Sequence, residues 1–127
     1  MTNKSARPTD SELEILQILW ADGPSSVRQV HDKLYKKKDV GYTTTLKLMQ
    51  IMNQKGLVSR DTKSRQHIYQ ATIGEEVVQQ GVLTKIISTA FRGSASGLIM
   101  QALGQHQPSN EELEEIKELI QKIESEQ

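Results

Sequence analysis

Apolar residues at helical spacing predict two helices near the start of the chain. The first begins at Thr9, because the run T-D-S-E fits a capping box in which Thr9 caps the helix and Glu12 reaches back. Its core-facing residues are Leu13, Leu16, Leu19 and Trp20. The turn residues Asp22-Gly23-Pro24 end it, and Ser25 or Ser26 caps a second helix. The apolar residues of that second helix lie one turn apart and are Val27, Val30 and Leu34.

A third helix is predicted over residues 42–55, and its two sides differ in character. The apolar side consists of Tyr42, Leu46, Leu48, Met49 and Met52. The polar side, at spacing i, i+4, i+7 and i+11, consists of Thr43, Lys47, Gln50 and Gln54. Gly56 follows, where a left-handed residue commonly ends a helix.

Two short β-prone segments behind this helix predict a hairpin. Residues 57–60 and 67–70 alternate between apolar and polar side chains, and the polar turn at residues 61–65 carries Lys63 and Arg65. A helix fits into a DNA major groove, and a basic hairpin beside it can lie on the neighbouring phosphates. Three helices followed by a basic hairpin are therefore typical of a winged helix-turn-helix.

The remainder of the chain is predicted to be helical, with apolar stripes on an acidic background. Helices this short cannot form a large core of their own, so we expect the stripes to pack against a second copy. The predicted dimer contacts are Leu83, Ile86, Ile87, Leu98, Ile99, Leu113, Ile116, Ile120 and Ile123. The predicted fold is mostly α with a small β-hairpin wing. A winged helix DNA-binding domain occupies residues 8–73, and a helical dimerisation domain occupies residues 74–127.

The chain carries no net charge, but its two halves differ in sign. Residues 1–72 contain 12 Lys and Arg against 7 Asp and Glu, a net charge of +5, and residues 73–127 contain 4 against 9, a net charge of −5. Such asymmetry suggests that the first half meets a polyanion. The alternative is that the acidic helices only increase solubility.

The polar side of the third helix and the hairpin supply the candidate DNA contacts. Threonine, lysine and glutamine side chains can reach base edges or phosphates, and a recognition helix usually meets bases near its start. The predicted contacts are Tyr42, Thr43, Thr44, Lys47 and Gln50 on the helix and Lys63 and Arg65 at the hairpin tip, with Arg60 as a helper. The alternative for an isolated helix is an ordinary solvated face, but the order of helices and basic hairpin favours DNA.

No pattern indicates a catalytic, metal or cofactor site. Cysteine is absent, which excludes disulfides and thiolate ligands. The histidines His31, His67 and His106 lie on different segments and fit no nucleophile elbow or metal spacing, so we interpret each as a surface or partly packed residue. No apolar run approaches the ~18 residues of a membrane helix, and the first residues lack a signal-peptide pattern. We expect a cytoplasmic, non-enzymatic protein without membrane insertion.

Three segments resemble the BlaI/MecI group of bacterial repressors, which regulate penicillinase and methicillin resistance and include copper-responsive CopY relatives. They are T-D-S-E-L-E-I-L-Q-I-L-W at residues 9–20, G-Y-T-T-T-L with M-N-Q-K-G-L-V in residues 41–58, and F-R-G-S at residues 91–94. The resemblance implies a dimer that binds a palindromic operator and represses transcription. It also implies that Thr44 contacts bases, whereas a lysine of those repressors stands where Thr43 stands here.

Two further departures concern induction. Repressors of the penicillinase type are cleaved at an Asn-Phe bond downstream of a membrane-sensor protease, and the corresponding pair here is Gln101-Ala102. The copper-responsive relatives use a cysteine motif that this chain lacks. The second hypothesis for function is a winged helix module whose main partner is another protein.

Overall fold

The computed structural model describes residues 7–127, which form six helices and one three-stranded antiparallel sheet. In chain order the elements are α1 (Asp10–Asp22), β1 (Ser25–Ser26), α2 (Val27–Tyr35), α3 (Tyr42–Lys55), β2 (Val58–Asp61), β3 (Ile68–Ala71), α4 (Glu75–Thr89), α5 (Ala95–Gln105) and α6 (Asn110–Ser125). The predicted fold class, mostly α with a small hairpin wing, is confirmed. The chain divides into two compact units between Leu83 and Thr84. The assignment of residues 8–73 and 74–127 to DNA binding and dimerisation stays a prediction.

Helix α1 begins with the predicted capping box. The Glu12 amide donates to Thr9 Oγ1 at 3.2 Å, and the Thr9 amide donates to Glu12 Oε1 at 2.9 Å. The buried side of α1 is wider than predicted, since Ile15 and Ile18 are buried beside Leu16 and Leu19. The physical reason is that α1 contacts α2, α3 and β3 together, so one narrow stripe does not cover all three neighbours.

Helix α2 is capped by Ser26, which accepts a hydrogen bond from the Gln29 amide at 3.2 Å. Its predicted core residues are all buried: Val27, Val30 and Leu34. Before it, Ser25 and Ser26 form the short strand β1, which pairs with Tyr69 and Ile68 of β3. Two serines carry no strand pattern, so this third strand could not be predicted.

Helix α3 has the predicted bounds and ends at Gly56, whose φ of 82° is left-handed. Met49 and Met52 are fully buried, as predicted, and Thr45 joins them although its side chain is polar. Tyr42, predicted on the same side as Met49, remains 38% exposed. Tyr42 is the first residue of the helix and lies beyond the core, against side chains of α2.

The wing consists of β2 and β3, each displaced by one residue from the predicted strand. Arg60 pairs with Tyr69, and Val58 pairs with Ala71. Val58 and Tyr69 point into the core, whereas Arg60 is exposed. Arg60 lies on the same face of the sheet as Val58 and Tyr69, because it is two residues from Val58 and directly opposite Tyr69. That face therefore carries both the buried anchor of the wing and an exposed charge further along β2.

The second unit contains the end of α4, then α5 and α6. Arg92 (φ 54°) and Gly93 (φ 86°) adopt left-handed backbone conformations and separate α4 from α5. Ser109 caps α6 through a capping box with Glu112. Within residues 84–127 no side chain is buried. None of the helices within residues 7–127 combines the length and the apolarity that a bilayer crossing requires.

One ion pair joins the start of α1 to the end of α3. Lys55 Nζ lies 2.7 Å from Glu12 Oε1, and the Glu12 side chain is only 3% exposed. The same carboxylate accepts the Thr9 amide, so a single buried group satisfies the cap and the cation together. A buried carboxylate is costly unless it is paired, so the pair constrains where α3 can end.

Removing the lysine of this pair should destabilise the protein far more than removing the lysine of an exposed pair. We expect Lys55→Met to lower the free energy of unfolding by about 3 kcal/mol, because it leaves the Glu12 carboxylate buried without its counter-charge. The control is Lys38→Met, which breaks the exposed pair with Glu14 and should cost less than about 1 kcal/mol. Urea denaturation measures both. Equal losses would show that burial of the pair has no special importance.

Candidate nucleic-acid interface

One side of α3 is open to solvent and carries every candidate DNA contact predicted on that helix. The opposite side is anchored in the core by Thr45, Met49 and Met52. The exposed residues are Tyr42, Thr43, Thr44, Lys47 and Gln50. The helix therefore exposes a polar side while its other side is fixed in the core, an arrangement suited to a helix that contacts bases in a DNA groove.

The connection between β2 and β3 displays the two predicted phosphate contacts. Lys63 and Arg65 are both exposed. The Lys63 amide donates to Asp61 Oδ1 at 2.9 Å, and Ser64 Oγ donates to the Gln66 carbonyl at 2.7 Å. These local hydrogen bonds shape the turn and leave its two cationic side chains free to reach outward.

A shallow cleft lies between α3, the start of α2 and the wing, and it gathers residues that are distant in sequence. Four predicted contacts line it, namely Tyr42, Gln50, Arg60 and Arg65. The other four predicted contacts are not among its lining residues: Thr43, Thr44, Lys47 and Lys63. The first unit thus has a helix stripe, a wing tip and an arginine-bearing cleft next to each other.

Arg28 also lines this cleft, and the sequence reasoning missed it. Its guanidinium carbon lies 4.6 Å from the centroid of the Tyr42 ring. The sequence signal that could have found it is the exposed side of α2, on which Arg28, His31 and Tyr35 recur at i, i+3 and i+7. That side contacts the start of α3.

His31, on α2, contacts α3 through its ring and through its Nδ1 atom. Its ring makes an edge-to-face contact with Tyr42 at 5.5 Å between centroids and a tilted contact with Tyr35 at 5.7 Å. Its Nδ1 lies 3.1 Å from the hydroxyl oxygen of the buried Thr45, and this hydroxyl donates to the Gly41 carbonyl at 3.4 Å. His31 is half-buried in these contacts, and its evident role is to hold the first turn of α3.

The cations of the candidate interface have no acidic partners among residues 7–127. Lys33, Lys38 and Lys55 each pair with a carboxylate of the first unit. By contrast, no ion pair within the described chain involves Arg28, Arg60, Arg65, Lys47 or Lys63. Their charge is available to an external anion. In the same part of the chain, no three His, Asp or Glu side chains are grouped so that they could hold a metal ion.

Comparison with known proteins identifies the family of the chain. The sequence model of the penicillinase repressor family matches residues 8–122. The chain belongs to this family. Similar members include the methicillin resistance regulatory protein MecI of Staphylococcus aureus strain N315, which is 20% identical over 122 residues, covering 96% of this chain and 99% of MecI. The transcriptional regulator BlaI of Mycobacterium tuberculosis strain H37Rv is 31% identical over 88 residues, covering 68% of this chain and 64% of BlaI.

Solved structures agree on the fold of this penicillinase repressor family member. The DNA-binding domain of the repressor BlaI matches with a TM-score of 0.54 and 21% identity, covering 61% of this chain and 93% of that domain. A MarR family protein from Bacillus stearothermophilus matches with a TM-score of 0.54 and 20% identity, covering 96% of this chain and 76% of that protein. The winged helix architecture and the BlaI/MecI resemblance predicted from the sequence are both confirmed.

Two adjacent threonines of α3 should differ in their effect on stability. Thr45→Val keeps the side-chain shape but removes the hydroxyl between His31 and Gly41, so we expect it to lower the free energy of unfolding by about 1–2 kcal/mol. Thr44→Val removes an exposed hydroxyl at the neighbouring position and should change stability by less than about 0.5 kcal/mol. Thermal or urea unfolding checks both. A neutral Thr45→Val would mean that the hydroxyl does not fix the start of α3.

Proposed function

We propose that this member of the penicillinase repressor family is a dimeric repressor that acts in the cytoplasm on a palindromic double-stranded operator. Helix α3 is the recognition helix, and the wing contacts the flanking phosphates. The observation that carries the proposal is the exposed polar side of α3 beside arginines and lysines that have no acidic partner in the described chain. MecI is described as a methicillin resistance regulatory protein and BlaI as a transcriptional regulator, which supports the same role here.

The proposed division of labour follows from position and chemistry. Thr43 and Thr44, in the first turn of α3, are proposed to meet base edges, and Lys47 and Gln50 to extend these contacts one and two turns later. Lys63 and Arg65 extend from the wing tip, where a point charge and a planar fork suit phosphate oxygens. Arg60 lies on β2 beside the same cleft as Arg65 and adds to the phosphate contacts.

Dimerisation is proposed from the exposure of apolar residues in α4, α5 and α6. Five predicted contacts are exposed, namely Leu83, Ile86, Ile99, Ile120 and Ile123. The other four are only half-buried: Ile87, Leu98, Leu113 and Ile116. Large apolar side chains exposed repeatedly along the helices are unfavourable in a free monomer. A second copy of the chain would cover it and present two recognition helices to two operator half-sites.

Induction is proposed to differ in detail from that of penicillinase repressors. Gln101 and Ala102 stand where those repressors carry the Asn-Phe cleavage site, and both are exposed on α5. A membrane-sensor protease that inactivates this protein would therefore need a different bond preference. No enzymatic activity, metal or cofactor forms part of the proposal.

The recognition helix and the wing tip should affect DNA binding differently. We expect Thr44→Ala to reduce the preference for operator over random duplex about 10-fold, because a base contact is lost. Arg65→Ala should weaken binding to both duplexes equally and flatten the dependence of affinity on salt, because a phosphate contact is lost. Fluorescence anisotropy with an operator selected from a random pool measures both, with the exposed Lys37→Ala as control.

Two outcomes of that experiment would count against the assignments. Equal losses on both duplexes for Thr44→Ala would remove Thr44 from the base contacts. If the unmodified protein does not bind any duplex at low salt, the repressor proposal fails, and a protein-docking role for the winged helix becomes the better explanation.

The apolar side of α6 should control assembly. Ile116→Asp together with Ile120→Asp should convert dimers to monomers, because unpaired carboxylates are costly to bury in an interface. The control is Lys117→Asp together with Gln121→Asp, which places two aspartates at exposed polar positions of the same helix and should leave the dimer intact. Sedimentation analysis distinguishes the two states. A dimer that survives the isoleucine substitutions would place α6 outside the interface.

A further inference from the structure

The cleft that Arg28 shares with Arg60 and Arg65 is not explained by the reading of bases. Its three arginines come from three separate elements: the start of α2, strand β2 and the wing connection. We propose that this cleft binds the sugar-phosphate backbone of one DNA strand, and that Tyr42 acts there as the residue that positions Arg28. The inference rests on the proposed function, since it requires α3 to lie in a major groove.

The geometry of the two DNA grooves explains why a backbone strand would lie in this cleft. When α3 occupies a major groove and the wing lies over the adjoining minor groove, one sugar-phosphate strand separates the two grooves. That strand must pass between α3 and the wing, where the cleft lies. A guanidinium offers a planar fork of donors that matches phosphate oxygens, so arginines on both sides of the passage suit a phosphodiester chain.

The position of Arg28 is restrained by Tyr42. The guanidinium carbon is 4.6 Å from the ring centroid, within the range of a cation–π contact. The Tyr42 ring is in turn held by the edge-to-face contact with His31, whose own Nδ1 lies 3.1 Å from the Thr45 hydroxyl. A restrained arginine loses less conformational freedom on binding phosphate than a mobile one. Tyr42, predicted from the sequence as a DNA contact, thus acts through Arg28.

The size and lining of the cleft favour a backbone over a small-molecule ligand. Its volume of 220 Å³ is below the about 300–1,000 Å³ of typical small-molecule sites. Its apolar lining, from Val27, Leu46 and Tyr69, is suited to the carbon atoms of a deoxyribose. Because the three arginines have no acidic partner within residues 7–127, an anion entering the cleft displaces no internal ion pair.

The salt dependence of operator binding tests the proposal. Each phosphate contact contributes a slope of about −0.9 to the plot of log affinity against log salt. Arg28→Gln should therefore reduce the magnitude of the slope by about one, and Tyr42→Leu should reduce it partly. Tyr42→Phe keeps the ring and should behave as the unmodified protein. The matched control is Lys36→Gln, which removes one charge at the other end of α2 and should leave the slope unchanged.

Neutral linkages identify the phosphate itself. In a series of operator duplexes, one phosphate at a time is replaced by an uncharged methylphosphonate. At one position, the methylphosphonate should lower the operator affinity of the unmodified protein. The same replacement should cause no further loss of affinity in the Arg28→Gln variant, because that variant no longer contacts the phosphate. Unfolding curves for each variant verify that the winged helix is intact, so that a loss of affinity is not a loss of fold.

Failure of this inference is distinct from failure of the proposed function. If the unmodified protein binds the operator but Arg28→Gln keeps its slope, the cleft does not bind the backbone, although the repressor proposal stands. If Lys36→Gln reduces the slope as much as Arg28→Gln does, the inference is also overturned, because the effect would then reflect the overall positive charge of the protein and not a contact in the cleft. If Tyr42→Leu matches Tyr42→Phe, the ring does not position Arg28. If no duplex is bound, both proposals fail together.

Discussion

The functional surface depends on how α3 is held against the rest of the first unit. Met49, Met52 and Thr45 bury one side of α3 completely, so the helix cannot rotate without exposing apolar surface. Polar contacts then fix its two ends. Lys55 binds the buried Glu12 carboxylate at one end, and the Thr45 hydroxyl meets His31 at the other. Because both ends are fixed, the exposed stripe keeps one orientation relative to the wing.

In the part of the first unit that the structure describes, the positively charged side chains fall into two sets, those that form internal ion pairs and those that do not. Three lysines, Lys33 on α2, Lys38 after α2 and Lys55 on α3, form ion pairs with carboxylates of α1. The arginines of the cleft and the lysine of the wing tip have no such partner within residues 7–127. A net charge alone cannot reveal this division. The pairing pattern identifies the face at which a polyanion gains attraction without competing against internal ion pairs.

The second unit differs from the first in that its apolar side chains are not buried. Its helices expose isoleucine and leucine side chains on an acidic background, and no side chain of residues 84–127 is buried. A capped and amphipathic helix such as α6 can form locally, but its apolar side needs a partner surface. Association of two copies would satisfy that need and would give the proposed DNA-reading surface the two-fold symmetry of a palindrome. Folding and operator recognition would then both depend on assembly.

The sequence by itself determined the elements, because capping boxes, glycine stops and apolar periodicity are local. Thr9 begins a helix and Gly56 ends one where they were predicted, and α3 has its predicted bounds. Only the tertiary structure decided which side chains meet across elements. It paired two serines with β3, buried Thr45, exposed Tyr42 and brought Arg28 to the wing. Such contacts join residues far apart in the chain, and their energies depend on packing that no local pattern encodes.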